Sequence, residues 1–183
     1  MNICIAVLAH NEETGIERTL QDLLLQDLWK LEPYSTELMV VVNGTTDRTV
    51  AVSEKVLKEA KINTRVFDLI RPGKSNAWNQ FIHDLSPVDT DIFILVDADI
   101  VLSQTEALRV MVETLIAHPE AVAVVDVPIK DLAKNEKKGA AARLSLSVSD
   151  LAAAGPPKLC GQLYAARAEA LRKIFLPEPM LVE

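Results

Sequence analysis

The sequence predicts an α/β fold, one domain built on a mainly parallel sheet flanked by helices. Three observations predict it. Short apolar runs alternate with amphipathic segments, several runs are apolar throughout, and polar residues gather where each run ends. Strands covered on both faces lose the in-and-out alternation of a half-exposed sheet, and "ICIAVLA" at 3–9 and "ELMVVV" at 37–42 have that continuous character. At 183 residues the chain suffices for one sizeable core and is short for two.

Each element follows from its pattern. After the first strand, "HNEETGIERTLQDLLLQ" sets Ile16, Leu20, Leu23 and Leu24 at helical spacing. Asn11 is the expected N-cap, with Glu12 and Glu13 in the first turn, where acids favour the positive helix end. "ELMVVV" is a second buried strand, "NGTTDRT" a turn, and 49–60 a helix with Val52, Val56 and Ala60 on one side. "NTRVFDL" alternates more and reads as a third strand. "IRPGKSN" is its turn, and "AWNQFIHDL" a helix burying Ala77, Trp78, Phe81, Ile82 and Leu85. "DIFILV" is the fourth strand, "QTEALRVMVETLIAH" a helix and "AVAVVDV" a fifth strand. From Ile129 the alternation stops. A lysine-bearing loop and an Ala-rich helix ending at Gly155 lead to a break at Pro156 and Pro157. "LCGQLYAA" then reads as a strand, "RAEALRKIF" as a short helix and "LPEPMLVE" as an extended tail.

Composition removes several classes of function. Hydrophobic residues at 49% and charged residues at 25% exclude a disordered or fibrous chain. A net charge of −7 argues against a nucleic-acid partner, whose backbone needs a basic surface. Cys4 and Cys160 are too few for a disulfide framework or a zinc site and read as reduced thiols, and three scattered histidines form no ligand cluster. The start "MNICIAVLAHNEE" lacks a positive n-region and reads as a strand rather than a signal peptide. No run approaches the roughly 20 apolar residues of a membrane span, so the chain as given reads as cytoplasmic.

The polar residues that follow the strands share one rim of such a sheet, where open α/β folds bind ligands. They are His10, Asn11 and Glu12, then Asn43 to Asp47, then Gly73 to Asn79, then Asp97 and Asp99. In extended chain residues two apart point the same way, so Asp97 and Asp99 project together while Ala98 turns to the other side. Two carboxylates this close repel, and their burial requires a counter-charge. Hard oxygen ligands with an incomplete shell suit Mg²⁺ or Mn²⁺ shared with a substrate's phosphates. Asp-x-Asp alone favours a strand end capped by solvated acids; its place after a buried strand, among other polar turns, favours the metal. "GKS" at 73–75 matches the end of a phosphate-binding P-loop, but the glycine required five residues earlier is Asp68, and the match fails. Lys74 at a helix start remains able to meet a phosphate, against the simpler reading of a solvent-facing turn lysine. Taken singly, "NGTTDRT" is a turn, Glu12 a helix-start acid and His10 a partner of neighbouring polar groups.

In combination these motifs resemble the family 2 glycosyltransferases, whose fold is the Rossmann-like GT-A type. "VLAHNEETGIERTLQDLLLQ" is similar to that family's opening strand and Asn-Glu turn, and "VVVNGTTDRT" to its Asp-Gly-Ser-x-Asp-x-Thr turn. "GKSNAWN" is similar to its Gly-Lys-x-x-Ala-x-Asn turn, and "LVDADIVL" to its Asp-x-Asp strand. "GQLYAARAEAL" resembles the acceptor-side Gly…Arg segment, and "LPEPMLVE" the approach to its Glu-Asp motif. The resemblance implies a UDP- or GDP-sugar donor, a divalent metal and an acceptor of unknown identity, lipid-linked in many relatives. Glu12 and Asn43 would then hold the nucleoside and Asp47 shape its pocket. Lys74 and Asn79 would line the base or diphosphate side. Asp97 would contact ribose or metal, Asp99 would coordinate the metal, and Gly161 and Arg167 would border the acceptor or diphosphate channel. Asn43 stands where the family more often has an acid, which leaves the nucleotide open.

The family's base is the Asp after Glu in its Glu-Asp motif, and this sequence stops at Glu183, which could only substitute for it. The resemblance thus implies a C-terminally truncated domain, with residues 1–128 as the nucleotide-sugar-binding half and 129–183 as the incomplete start of the acceptor-side half. An inverting transferase would gain leaving-group stabilisation from the metal and Lys74, but proton removal from the acceptor would lack its usual base. A longer parent would work at the inner face of the membrane. The alternative is a non-catalytic nucleotide-sugar-binding module. A sugar-nucleotide pyrophosphorylase would carry a Gly-rich, Arg-bearing loop after the first strand, and "AHNEETG" has none.

Overall fold

The computed structural model describes residues 1–126 and 162–177. Its strands are β1 (Asn2–Ala9), β2 (Ser35–Asn43), β3 (Asn63–Leu69), β4 (Ile92–Asp97), β5 (Ala123–Val125) and β6 (Leu163–Arg167). The helices are α1 (Ile16–Leu24), α2 (Thr49–Leu57), α3 (Lys74–Gln80), α4 (Ala107–Ala117) and α5 (Ala168–Leu171). The sheet runs in the order β3-β2-β1-β4-β6-β5. β1 to β4 are mutually parallel, β6 is antiparallel to β4, and β5 is antiparallel to β6. The sheet is therefore mixed and mostly parallel, as a strand-helix alternation requires up to β4. Leu163 pairs with Val96 at the start of β6, and Val125 at the end of β5 stands beside Tyr164, the partner of Leu95. Asp126 and Gln162 therefore both stand near the carboxyl end of β4.

Alternate side chains of the apolar strands build two cores. Ile3, Ile5 and Val7 join Leu38, Val40, Ile92, Ile94 and Val96 under α1, α2 and α4, through Ile16, Leu20, Leu23, Leu57, Leu108 and Leu115. Cys4, Ala6 and Leu8 join Met39, Val41, Phe93 and Leu95 under α3 and α5, through Trp78, Phe81, Ile82 and Leu171. The small side chains of Cys4 and Ala6 face the bulky Trp78 and Phe81 across this layer, and Phe81 meets Phe93 edge-on at 5.1 Å between ring centres. Burial pushes the Cys4 thiol up to about 12, with Glu37 adding to it against Arg65 and Arg172. It is a packed, free thiol; Cys160 lies outside the described residues.

Several local expectations are corrected. Asn11 does not cap α1: it takes a left-handed φ of 52°, which Asn tolerates because its side chain bonds locally, and the helix begins after Gly15. Glu12 and Glu13 precede the helix, and Glu17 is the acid in its first turn. The inward face of α2 is Thr49, Ser53 and Leu57, with Val52 and Val56 only partly buried, and the helix stops at Leu57 rather than Ala60. α3 starts three residues early, at Lys74, and its last part, Phe81–Leu85, widens into a π turn. The lysine-bearing loop and the Ala-rich helix expected after Ile129 lie outside the described residues.

β1 leads to β2 on one side, and the chain returns from β3 to β4 on the other. The crevice above the carboxyl ends of β1 and β4 is thus the switch point of the sheet, where ligands of open α/β folds sit. The turn after β2 approaches the turn after β3 closely enough to need a glycine. Gly44 has φ 57°, and its N–H donates to the Leu69 carbonyl at 2.7 Å. A Cβ there would stand 2.5 Å from Pro72 Cβ and 2.6 Å from Pro72 Cα. Gly44→Ala should lower unfolding free energy by about 1–3 kcal/mol in urea titrations, from the clash and the left-handed backbone together. An unchanged midpoint and slope would show that the two turns do not touch in solution.

Candidate functional site at the carboxyl rim of the sheet

The turns after β1 and β2 are laced by hydrogen bonds. Asn11 N–H donates to Thr45 Oγ1 at 2.8 Å, Glu12 N–H to Thr49 Oγ1 at 2.8 Å and Glu13 N–H to Asp47 Oδ2 at 3.0 Å. Thr46 N–H returns to Asn11 Oδ1 at 2.9 Å. Asp47 also accepts the Thr49 N–H at 2.9 Å, and the Glu13 carboxylate accepts the N–H of Arg48 at 3.1 Å and its guanidinium at 3.2 Å. The free donors at the start of α2 are thereby satisfied from the neighbouring turn as well as their own. Burial pushes the Asp47 carboxyl up, but hydrogen bonds from the Thr49 hydroxyl, the Thr49 N–H and the Glu13 N–H outweigh it, and the group sits below its ordinary value.

Beneath this lacing, Asn43 is buried, its Nδ2 donating to Ala9 O at 2.8 Å and its Oδ1 accepting Gly73 N–H at 2.9 Å. One amide thus ties the ends of β1 and β2 to the residue before Lys74. His10 Nδ1 lies 2.7 Å from the Asn43 carbonyl; a carbonyl only accepts, so Nδ1 carries the proton and Nε2 accepts from Asn11 Nδ2 at 3.2 Å. His10 is a partner of neighbouring polar groups.

β4 ends at Asp97, and Ala98 and Asp99 form a turn rather than the extended chain expected; Ala98 is 3% exposed while Asp99 is open to solvent. Thr19, buried on α1, shares its hydroxyl proton between Ala98 O at 2.7 Å and Ile100 O at 2.9 Å, and Asp97 N–H donates to Gln162 O at 2.8 Å. The turn carrying both carboxylates is held on both sides. The counter-charge required by the pair is present: Lys74 Nζ lies 2.6 Å from Asp97 Oδ1 and 2.8 Å from Oδ2. Burial raises the Asp97 carboxyl and Asp99 adds to it, against the hydrogen bond and charge of Lys74. Asp99 has no cationic partner among the described residues. Glu12 joins the group from the β1 turn: a Cβ at Gly15 would stand 3.2 Å from Glu12 Oε2 and 3.9 Å from Asp99 Cα. Its carboxyl is raised by burial, then by Asp99, Asp47 and Asp97, with His10 opposing.

Glu12, Asn43, Asp47, Lys74, Asp97 and Asp99 are thus brought to one rim. Asn79 and Arg167 are not. Asn79 Nδ2 donates to Leu176 O and its Oδ1 accepts Leu176 N–H, both at 2.9 Å, so its amide clamps the chain after α5 onto α3. Arg167 pairs with Ile92 at the opposite end of β4, and its guanidinium donates to the carbonyls of Leu115, His118 and Ala121 at the end of α4. It caps a helix about five strand residues, roughly 16 Å, from Asp97. Gly161 and Glu183 lie outside the described residues. The reading of the sequence overlooked Thr45, Thr49 and Thr19. The signal for Thr19 was its place at i+3 on the apolar stripe begun by Ile16.

Hard oxygen donors of the kind a divalent cation takes gather here: Asp99 is open to solvent, Glu12 comes from the β1 turn, and Asp97 is held by Lys74. Among the described residues no group of three potential ligands is assembled to hold an ion unaided. Such a set fits an ion that a substrate's phosphates also bind.

The sequence profile of glycosyl transferase family 2 matches residues 4–175. The chain belongs to this family. No curated protein matches it in sequence. Among solved structures, the family 2 domain is similar to the mannosyltransferase PcManGT from Pyrobaculum calidifontis in complex with GDP-Man and Mn²⁺. The identity is 23% and the TM-score 0.70, over 93% of this chain and 46% of that one. It is also similar to S. aureus TarS in complex with UDP, at 19% identity and TM-score 0.65, over 97% of this chain and 50% of that one. Glucosyl-3-phosphoglycerate synthase from Mycobacterium tuberculosis, in complex with Mn²⁺, UDP and phosphoglyceric acid, matches at 21% identity and TM-score 0.61, over 92% of this chain and 56% of that one. These likenesses show the GT-A fold, and the chain spans about half the length of the structures it matches. No helix among the described residues is long and apolar enough to cross a membrane.

Asp47 gives the lacing a pH signature. Its folded value lies below the ordinary 3.8, so its contribution to stability is complete above 3.8 and is lost as pH falls through the lowered value. Asp47→Asn should be less stable than the parent at neutral pH, with the difference shrinking below pH 3.8 in urea titrations across the acid range. Parallel stability profiles would rule out the hydrogen-bonded carboxylate.

Proposed function

We propose that this domain binds a nucleoside-diphosphate sugar, of the UDP or GDP type, with Mn²⁺ or Mg²⁺, as the donor half of an inverting glycosyltransferase. One observation carries the reading: Lys74 holds Asp97 at the switch point of the sheet, with the exposed Asp99 two residues on in the following turn. A nucleoside diphosphate brings the phosphate oxygens that an open carboxylate ligand and a lysine leave unsatisfied. The solved relatives bound to GDP-Man, UDP and Mn²⁺ support it.

Roles follow for the chain's own residues. Asp99 and Asp97 would hold the divalent ion, which supplies charge stabilisation to the departing diphosphate. Lys74 would add a second positive charge there. Glu12 and the laced turn of Asn43 to Asp47 would form the wall of the nucleoside pocket, with the Asn43 amide holding that wall together. We assign residues 1–128 to the donor half and 129–183 to the start of the acceptor side. Lipid-linked acceptors and work at a membrane face belong to the same proposal for a longer chain.

Titration calorimetry with UDP and GDP, with and without Mn²⁺, tests this. One nucleotide should bind in a metal-dependent way, and Asp99→Asn should weaken that binding at least about tenfold, the scale of one lost charged contact. A folded protein silent to both nucleotides with Mn²⁺ would overturn the proposal.

A further inference from the structure

The contact between Lys74 and Asp97 carries a consequence for how the rim takes up a cation. The ammonium touches both oxygens of Asp97, at 2.6 and 2.8 Å, and so occupies the face of the carboxylate that a metal ion would use. The pair is partly open to water, with the Asp97 side chain 21% exposed and that of Lys74 42%, so it holds the carboxylate but remains exchangeable for another cation. Asp99 is two residues away, exposed and without a cationic partner among the described residues. Lys74 is the first residue of α3 and follows Gly73, whose N–H is held by Asn43. Its backbone start is fixed, and its side chain is 42% exposed, which leaves a four-carbon stem with room to re-aim the ammonium.

We propose that Lys74 and a divalent cation are alternative partners of Asp97. In the donor-free protein the ammonium keeps the carboxylate pair from chelating Mn²⁺ or Mg²⁺. It gives Asp97 up only when a diphosphate arrives to receive the ammonium and to complete the metal's shell. Metal and nucleotide are then taken up together, and the protein does not carry the ion between donor molecules. The inference deepens the donor-binding reading for the order of binding, but its core concerns the metal alone.

The test is a Mn²⁺ titration followed by electron paramagnetic resonance on the 183-residue chain without nucleotide. Lys74→Met should bind Mn²⁺ about tenfold more tightly than the parent, because one neighbouring positive charge and one competitor are removed. Lys74→Arg, which keeps the charge, should stay as weak as the parent. Adding Asp97→Asn to Lys74→Met should abolish the gain, since Asp97 is the ligand released. Lys74→Gln serves the same purpose should the methionine variant not fold, which circular dichroism reports. Unchanged or weaker Mn²⁺ affinity in the folded neutral variant overturns the proposal, as does a gain that survives Asp97→Asn. Repeating the titration with UDP and with GDP separates the two readings: failure of both nucleotides to bind removes the donor assignment, while the nucleotide-free comparison still decides the competition.

Discussion

An ammonium resting on a half-buried carboxylate is the interaction on which this rim depends. The end of β4 is otherwise apolar, and two aspartates there, with Glu12 alongside, would repel one another and resist leaving water. Lys74 reconciles them by neutralising the more buried of the pair. Its position is set from below: the Asn43 amide holds Gly73, and Gly73 fixes where α3 begins. Thr19 and Gln162 hold the other side of the contact by fixing the turn that carries Asp97.

The surrounding turns are rigid for a different reason. The polar atoms after β1 and β2 are satisfied by each other, so the wall they form does not wait for a ligand to become ordered. A wall ordered in advance reduces the conformational entropy lost on binding. Glu13 serves two donors across the seam, and Asp47 one across it and one in its own turn, which explains why a turn of small polar residues keeps one shape without an apolar core of its own.

Much of the fold was legible because burial on both faces leaves a plain mark. The runs "ICIAVLA", "ELMVVV" and "DIFILV" could hardly be anything but interior strands, and their order gave the rim on which Asp97 and Asp99 stand. The sequence led to a divalent metal as their counter-charge; the ammonium of Lys74 was not legible, because its pairing with Asp97 spans 23 residues and no local pattern records it. The contacts of Asn11, Asn79 and Arg167 were not legible for a related reason. Each is a side chain whose partner is a backbone atom of a remote segment, and hydrogen bonds of that kind have no periodicity to read. The antiparallel return of β6 was hidden because a five-residue strand looks the same in either direction.

The way β5 and β6 meet has a consequence for what stands beside the aspartates. The chain leaves the sheet after Asp126 and comes back at Gln162, and both points stand at the carboxyl end of β4, Gln162 accepting the Asp97 N–H. Strand pairing fixes those two doorposts. The register of the sheet beside the aspartates is set by β4 and β6 alone, through pairs that run from Val96–Leu163 to Ile92–Arg167. A substitution at Arg167 acts on the opposite footing of the fold, where it would loosen α4 and leave the doorway as it was.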